Sequence, residues 1–329
     1  MVLAAGCGYD RSPGPYDPPN VSHTEGLWVA SGSDPALLRF APEQLLASGS
    51  KTASATITTS SATLFTINGI AFDTAGTMWV ASADDSLLIA FSAAALATSG
   101  FTVASRIISP TDESLSSPSA IAFDPHHRLW VANAETGTLV RFDPAQLVAG
   151  GAPRPANVIR GPTRPSGLAF DANGSMWVAN IRTNSIAKYS AAQLDDSGFV
   201  TPAVLLRPTG SAFLGSSALA FDAAGNLWVA YLGGATIAGF SPAQLAVSGT
   251  SAPSIILRPA GSFGLPVGLA FDGDGALWVV TAEGALHRFA ASTLLASGAP
   301  SPSEELLVRG HTLLSGIAFW PKPRRLPLN

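Results

Sequence analysis

The chain has 329 residues, with 18 Lys+Arg against 22 Asp+Glu and only 12% charged residues, where a soluble domain averages about 25%. No Lys/Arg cluster suits nucleic acid, no run of 18 apolar residues suits a bilayer, and one cysteine excludes a disulfide framework or a Cys-based zinc site. The 32 Gly and 25 Pro exclude a mostly helical protein.

At the amino end, Leu3-Ala4-Ala5-Gly6-Cys7 resembles the close of a bacterial lipoprotein signal, the lipobox, in which the cysteine is lipidated after cleavage. Ala4 stands where that pattern usually has Leu. The six residues before Cys7 are too few for a charged start and an apolar core, so the natural start is expected upstream. The alternative is a plain cysteine in a disordered end. Pro13, Pro15, Pro18 and Pro19 follow, and such a segment reads as an extended tether. Residues 1–23 are therefore expected to be a lipobox-like end and a tether. Residues 24–321 are expected to fold, and 322–329 to form a tail.

A repeat begins at Trp28. Trp28, Trp79, Trp130, Trp177, Trp228 and Trp278 lie 51, 51, 47, 51 and 50 residues apart. Four segments recur around each. An apolar run such as Gly69-Ile70-Ala71-Phe72 is strand a, and the Trp run is strand b. A run ending in an aromatic, such as Leu139-Val140-Arg141-Phe142, is strand c, and one such as Ser254-Ile255-Ile256-Leu257 is strand d. Short β-branched and aromatic runs between Gly, Pro, Asp and Ser read as strands in tight connection.

The a-to-b link is Asp73-Thr74-Ala75-Gly76 and its counterparts at 171–174, 222–225 and 272–275. In these links Asp opens the turn and Gly closes it. Between c and d, Asp143-Pro144-Ala145-Gln146 and the related 190–193 and 241–244 predict a capped helix of one or two turns. Gly49, Gly100, Gly151, Gly198, Gly249 and Gly298 each lie nine residues after the aromatic of strand c, and are read as helix stops. Arg160, Arg207, Arg258 and Arg309 end d strands, where charge would protect an open edge; the alternative is attraction of an anionic partner.

Six repeats of four antiparallel strands predict an all-β, six-bladed β-propeller, whose apolar blades are stable only when packed face to face. The chain enters at strand b and leaves with an unpartnered strand a, Ser315-Gly316-Ile317-Ala318-Phe319. That strand is expected to complete the first blade, so that both chain ends build one sheet.

The run Pro165-Ser166-Gly167-Leu168-Ala169-Phe170-Asp171, followed by Asn173-Gly174-Ser175-Met176-Trp177-Val178-Ala179-Asn180, resembles an NHL-type propeller repeat. The resemblance extends over about residues 24–320 and implies the propeller, while leaving activity open.

Strand direction puts the d-to-a and b-to-c loops on one face, the top, where inner strands converge on a channel. Asn68, Ser119, Ser166, Ser217, Val267 and Ser315 should ring that mouth, with a second ring of Ser31, Ser82, Asn133, Asn180, Tyr231 and Thr281. Asp34, Asp84, Asp85, Glu135 and Glu283 stand further out. Such oxygen donors suit a hard cation or a polar ligand; alternatively the small polar residues bond loop backbone.

Thr66-Ile67-Asn68-Gly69 is similar to the Asn-Gly strand of gluconolactonase-like propellers, which implies a divalent metal such as Ca, with Asn68 as the one candidate ligand. The counterparts of Asn68 are Ser or Val. Streptogramin-lyase-like propellers imply a histidine base at the channel; only His311 falls on the top face, with His23, His126, His127 and His287 elsewhere.

The expectation is a non-enzymatic, monomeric binding protein of the bacterial envelope, lipid-anchored at Cys7 and touching the membrane only there. It would take a protein or small polar ligand through Asn68, Ser119, Ser166, Ser217, Ser315, Asn133, Asn180 and Tyr231, with no assigned cofactor or catalytic residue. A metal-dependent hydrolase or lyase in the channel is the alternative.

Overall fold

Each Trp run is flanked by strands on both sides and by neighbouring blades on both faces, which is why it reads as unbroken apolar sequence. All six tryptophans are at most 1% exposed. The computed structural model describes residues 26–32, 35–59, 66–261 and 263–323; Cys7, the proline-rich segment, His23 and Asp34 lie outside them.

Six sheets form a ring, the six-bladed propeller that the repeat predicts. The a strands line the axis: Ile67–Phe72, Pro118–Phe123, Pro165–Phe170, Ser216–Phe221, Pro266–Phe271 and Leu314–Trp320. The last of these pairs antiparallel with Gly26–Ser31, in register Leu27↔Phe319 and Trp28↔Ala318, so the first blade is closed by the C-terminal strand.

The hydrophobic clusters each draw on two adjacent blades. Trp177, for example, packs edge-on against Phe221 of the following blade at 6.1 Å between ring centres, and Trp28, Trp228 and Trp278 repeat the arrangement with Phe72, Phe271 and Phe319. The turn aspartates do more than shape turns. In Asp171, one oxygen accepts the backbone N–H groups of Asn173 and Ser175, while the other accepts from Trp177 Nε1 at 3.1 Å. Asp124, Asp222 and Asp272 hold Trp130, Trp228 and Trp278 likewise.

The c-to-d links contain single helical turns in all six blades. Gln146 explains one of them. Its Oε1 accepts the Asp143 N–H at 2.8 Å, and its Nε2 donates to the Arg154 carbonyl, tying the helix start to the returning chain.

Two expectations change here. The six recurring glycines are not helix stops; in the Pro144–Ala149 helix that role falls to Gly150, whose N–H bonds Gln146 O. Instead Gly49, Gly100, Gly151, Gly198, Gly249 and Gly298 lie against the outermost strand of the preceding blade in parallel, opposite Leu306, Ile57, Ile108, Ile159, Leu206 and Leu257. Three of these contacts extend to a fifth strand in the blade. The d edges are thereby covered by backbone, since the N–H groups of Arg207, Arg258 and Arg309 donate to carbonyls of the neighbouring link. Edge protection comes from this crossover, and the arginine charge is not what closes the edge.

Candidate functional site

At the top of each a strand the pairing with strand b slips by one residue, as between Pro118↔Asn133 and Ala120↔Ala132. The same slip occurs at Asn68, Ser166, Ser217 and Val267. A bulge leaves one residue unpaired and re-aims its side chain, and here that residue is the expected ring position.

The ring side chains reach sideways, from blade to blade. The Ser119 hydroxyl donates to the Pro165 carbonyl at 2.6 Å, Ser166 to Ser216 at 2.5 Å, and Ser217 to Pro266 at 2.7 Å. Ser315 donates to the Ile67 carbonyl, and Asn68 makes a long 3.5 Å contact to that of Pro118. Five of six blade junctions are thus bridged at the mouth; at the sixth, Val267 has no donor to offer. Each hydroxyl proton is committed, and what remains toward the channel is lone pairs.

A second tier lies immediately outside it. Thr66, Ser117, Arg164 and Leu313 each precede an a strand and hold left-handed backbone, with φ of 33°, 49°, 53° and 54°; Gly215 at 69° is their counterpart. Their carbonyls accept from the residue after strand b, for example Ile181 N–H to Arg164 O at 3.2 Å. Such conformations cost a non-glycine residue about 1 kcal/mol or more and collect at ligand sites. Sequence patterning misses this tier, because glycine occupies only one of these positions.

Both tiers line a pocket of ≈480 Å³ at the channel mouth, within the range of small-molecule sites. The pocket has two unlike sides. Asn68, Ser119 and Ser166, with Thr66, Ser117 and Arg164, make three consecutive blades polar. After the Ser217 blade, Val267, Leu313 and Leu314 face them from the two blades across the ring, the second of which also contributes Ser315. Leu313 is 60% exposed, and Leu265, just above Val267, is 43% exposed. Among the described residues, Arg164 has no carboxylate within ion-pair distance; Arg182 and Glu135 line an adjoining pocket with it.

The candidates of the second predicted ring do not reach this pocket. Asn133 is fully buried, accepting the Ser116 N–H through Oδ1 and donating to Ser114 O and Thr138 Oγ1. Asn180 accepts the Thr163 N–H at 3.0 Å. Tyr231 is fully buried against Phe213, and desolvation raises its phenol well above the ordinary value. Asn133 and Asn180 thus fasten the adjoining loops, while Tyr231 packs in the core.

A divalent cation does not fit the mouth. Such an ion requires several hard oxygen ligands, normally carboxylates among them, and among the described residues no group of three His, Cys, Asp or Glu could hold one. Asp84 accepts from the Thr66 hydroxyl at 2.5 Å, and Glu283 accepts the Leu265 N–H at 2.9 Å. Asn68 stands without a carboxylate beside it in the pocket lining.

His311 lies on the top face, its Nδ1 3.2 Å from Ser31 Oγ. His287 is buried in a c strand against Phe263, where desolvation lowers its proton affinity.

Below the serine ring the channel is closed by Ile70, Ile121, Leu168, Leu219, Leu269 and Ile317, one from each blade. They also line a second cavity of ≈130 Å³ that continues to the lower end, past Phe72, Phe271 and Trp320 to Lys322.

The family model described as SMP-30/Gluconolactonase/LRE-like region matches residues 46–219. Among solved structures, the chain is similar to a streptogramin B lyase, with a TM-score of 0.50 and 14% identity over 69% of this chain and 66% of that one. It is similar to the same degree to virginiamycin B lyase from Staphylococcus aureus, in a selenomethionine form and in a catalytically inactive His→Ala form with quinupristin; 67% of each is covered. The chain thus spans about two thirds of the length of these structures, just under for the first, and the likeness is one of fold. No curated protein matches the chain.

Proposed function

The chain belongs to the SMP-30/gluconolactonase/LRE-like family, and we propose that it binds a small amphipathic acid in the upper mouth of its channel. The carrying observation is the division of that pocket, with Arg164 and the polar blades on one side and Val267, Leu313 and Leu314 on the other. A carboxylate suits an arginine that has no internal counter-ion, and an aliphatic or aromatic body suits the opposite wall. This reading keeps the binding role expected of the top face and shifts the ligand from polar to two-faced.

Titration calorimetry with octanoate, octylamine and octanol tests it. Octanoate should bind, octylamine should not, and Arg164→Gln should weaken octanoate about tenfold, near 1.4 kcal/mol. Equal binding of octanoate and octylamine, or indifference to Arg164→Gln, contradicts it.

A lyase activity is the second reading, favoured by the similarity to solved lyases, one of which is inactive when a histidine is replaced by alanine. His311 is a described histidine on the top face, so any turnover of quinupristin should vanish in His311→Ala. The bacterial envelope, with a lipid anchor at Cys7, is the proposed location, supported by Leu3-Ala4-Ala5-Gly6-Cys7. Labelled palmitate should enter a signal-bearing form of the chain, and Cys7→Ser should abolish that.

A further inference from the structure

The lower end of the channel contains two polar groups that nothing has claimed. Lys322 follows the last strand through Pro321, and its Nζ is enclosed without a hydrogen-bond partner among the described residues. The indole Nε1 of Trp320, in the same cavity, is enclosed and unpartnered as well. The other lining side chains are aliphatic or aromatic, including Phe72, Phe271, Ile317 and Phe319, and among the described residues no other titratable side chain lines the space.

An ammonium ion without water or counter-ion is costly in such surroundings, and a lysine responds by releasing its proton. Burial lowers the Lys322 amine from its ordinary value to about 7, so a large share is uncharged at neutral pH. An uncharged amine carries a free lone pair and is a nucleophile toward carbonyl carbon. The Trp320 indole N–H, in the lining of the same cavity, is a donor with no described acceptor, the complement of a carbonyl oxygen.

We infer that the lower cavity is a capture site for small apolar aldehydes, with Lys322 as the nucleophile and Trp320 positioned to bond the carbonyl oxygen. The Nζ lone pair attacks the carbonyl carbon, and the nitrogen proton passes to oxygen to give a carbinolamine. That hydroxyl then leaves with a second nitrogen proton as water, forming the imine C=N. No oxidant or reductant enters the step. A volume of ≈130 Å³ accommodates about four waters' share of liquid, which limits the guest to a short-chain aldehyde.

The chain has three lysines, Lys51, Lys188 and Lys322, so two serve as internal standards. Lys188 is ion-paired with Asp171 at 3.2 Å. Butanal with cyanoborohydride, which reduces the imine to a stable secondary amine, is applied briefly at pH 7 and the sites are mapped by peptide mass spectrometry. Lys322 should be labelled roughly tenfold or more faster than Lys51 or Lys188. Butanal should outpace the charged aldehyde glyoxylate at Lys322 but not at Lys51. Lys322→Met should remove only the fast label, and Trp320→Phe should slow it while leaving the other two rates unchanged. Labelling of Lys322 no faster than Lys51, or equal rates with butanal and glyoxylate, overturns the assignment.

Discussion

The two ends of the channel use polar groups in opposite ways. At the upper mouth, serines look available, yet each donates its proton to the next blade's backbone. At the lower end, the other lining side chains are apolar, and the polar side-chain groups there, Lys322 Nζ and Trp320 Nε1, have no described partner. Polarity by itself therefore marks a fastening at the top, while an unanswered polar group marks reactivity at the bottom. A binding role for the upper pocket rests on what the hoop leaves over, namely Arg164 and the contrast between its two walls.

The harshest way to break the comparison is to remove the element common to both ends. Deleting residues 315–329 takes Ser315 from the ring and Ile317, Trp320 and Lys322 from the cavity, and leaves Gly26–Ser31 without its inner neighbour. Denaturant unfolding should show a loss of more than about 5 kcal/mol, or no cooperative transition. A truncated chain that melts like the full one contradicts the closure.

A smaller effect isolates the lower end. The folded-state pKa of Lys322 is lowered to about 7 from 10.5, so between those values the unfolded chain binds more protons and stability rises with pH. The penalty is fully present below pH 7 and gone above about 10.5. Lys322→Met should remove that rise and stabilise the protein at pH 6 by on the order of 1–3 kcal/mol. Parallel pH–stability curves for the two proteins would place the amine in water.

The smallest change sharpens the upper end. Val267 occupies the one junction without a bridging donor, and its counterparts donate to the first or neighbouring carbonyl of the next a strand. Val267→Ser should complete the hoop and stabilise by about 0.5–1 kcal/mol, while weakening octanoate through loss of the apolar wall. Stabilisation without weaker binding would leave the pocket assignment unsupported.

The blades, their number and the closing strand were legible because a tryptophan buried in each repeat must recur at a fixed spacing. The ring positions were legible from strand direction alone. What the ring side chains do was not, since a one-residue bulge turns them toward a neighbour and no residue type announces a bulge. The left-handed tier escaped for a similar reason, with Thr66, Ser117, Arg164 and Leu313 where glycine would have signalled it. The recurring glycines pointed to helix ends because the contact they make, a parallel bridge to the preceding blade, is remote in sequence. Lys322, between two prolines, reads as the start of a tail, and only the folded strand before it carries it into the cavity. The NHL-type pattern led to the correct architecture, with the family match falling to the SMP-30/gluconolactonase/LRE-like group.

The contrast between the two ends turns on the charge of one amine, and three lysines make it directly visible. In an NMR titration of 15N-lysine-labelled protein, the Lys322 amine should lose its proton near pH 7. A Lys322 amine that keeps its proton to about 10.4, the value of a lysine in water, would contradict the account.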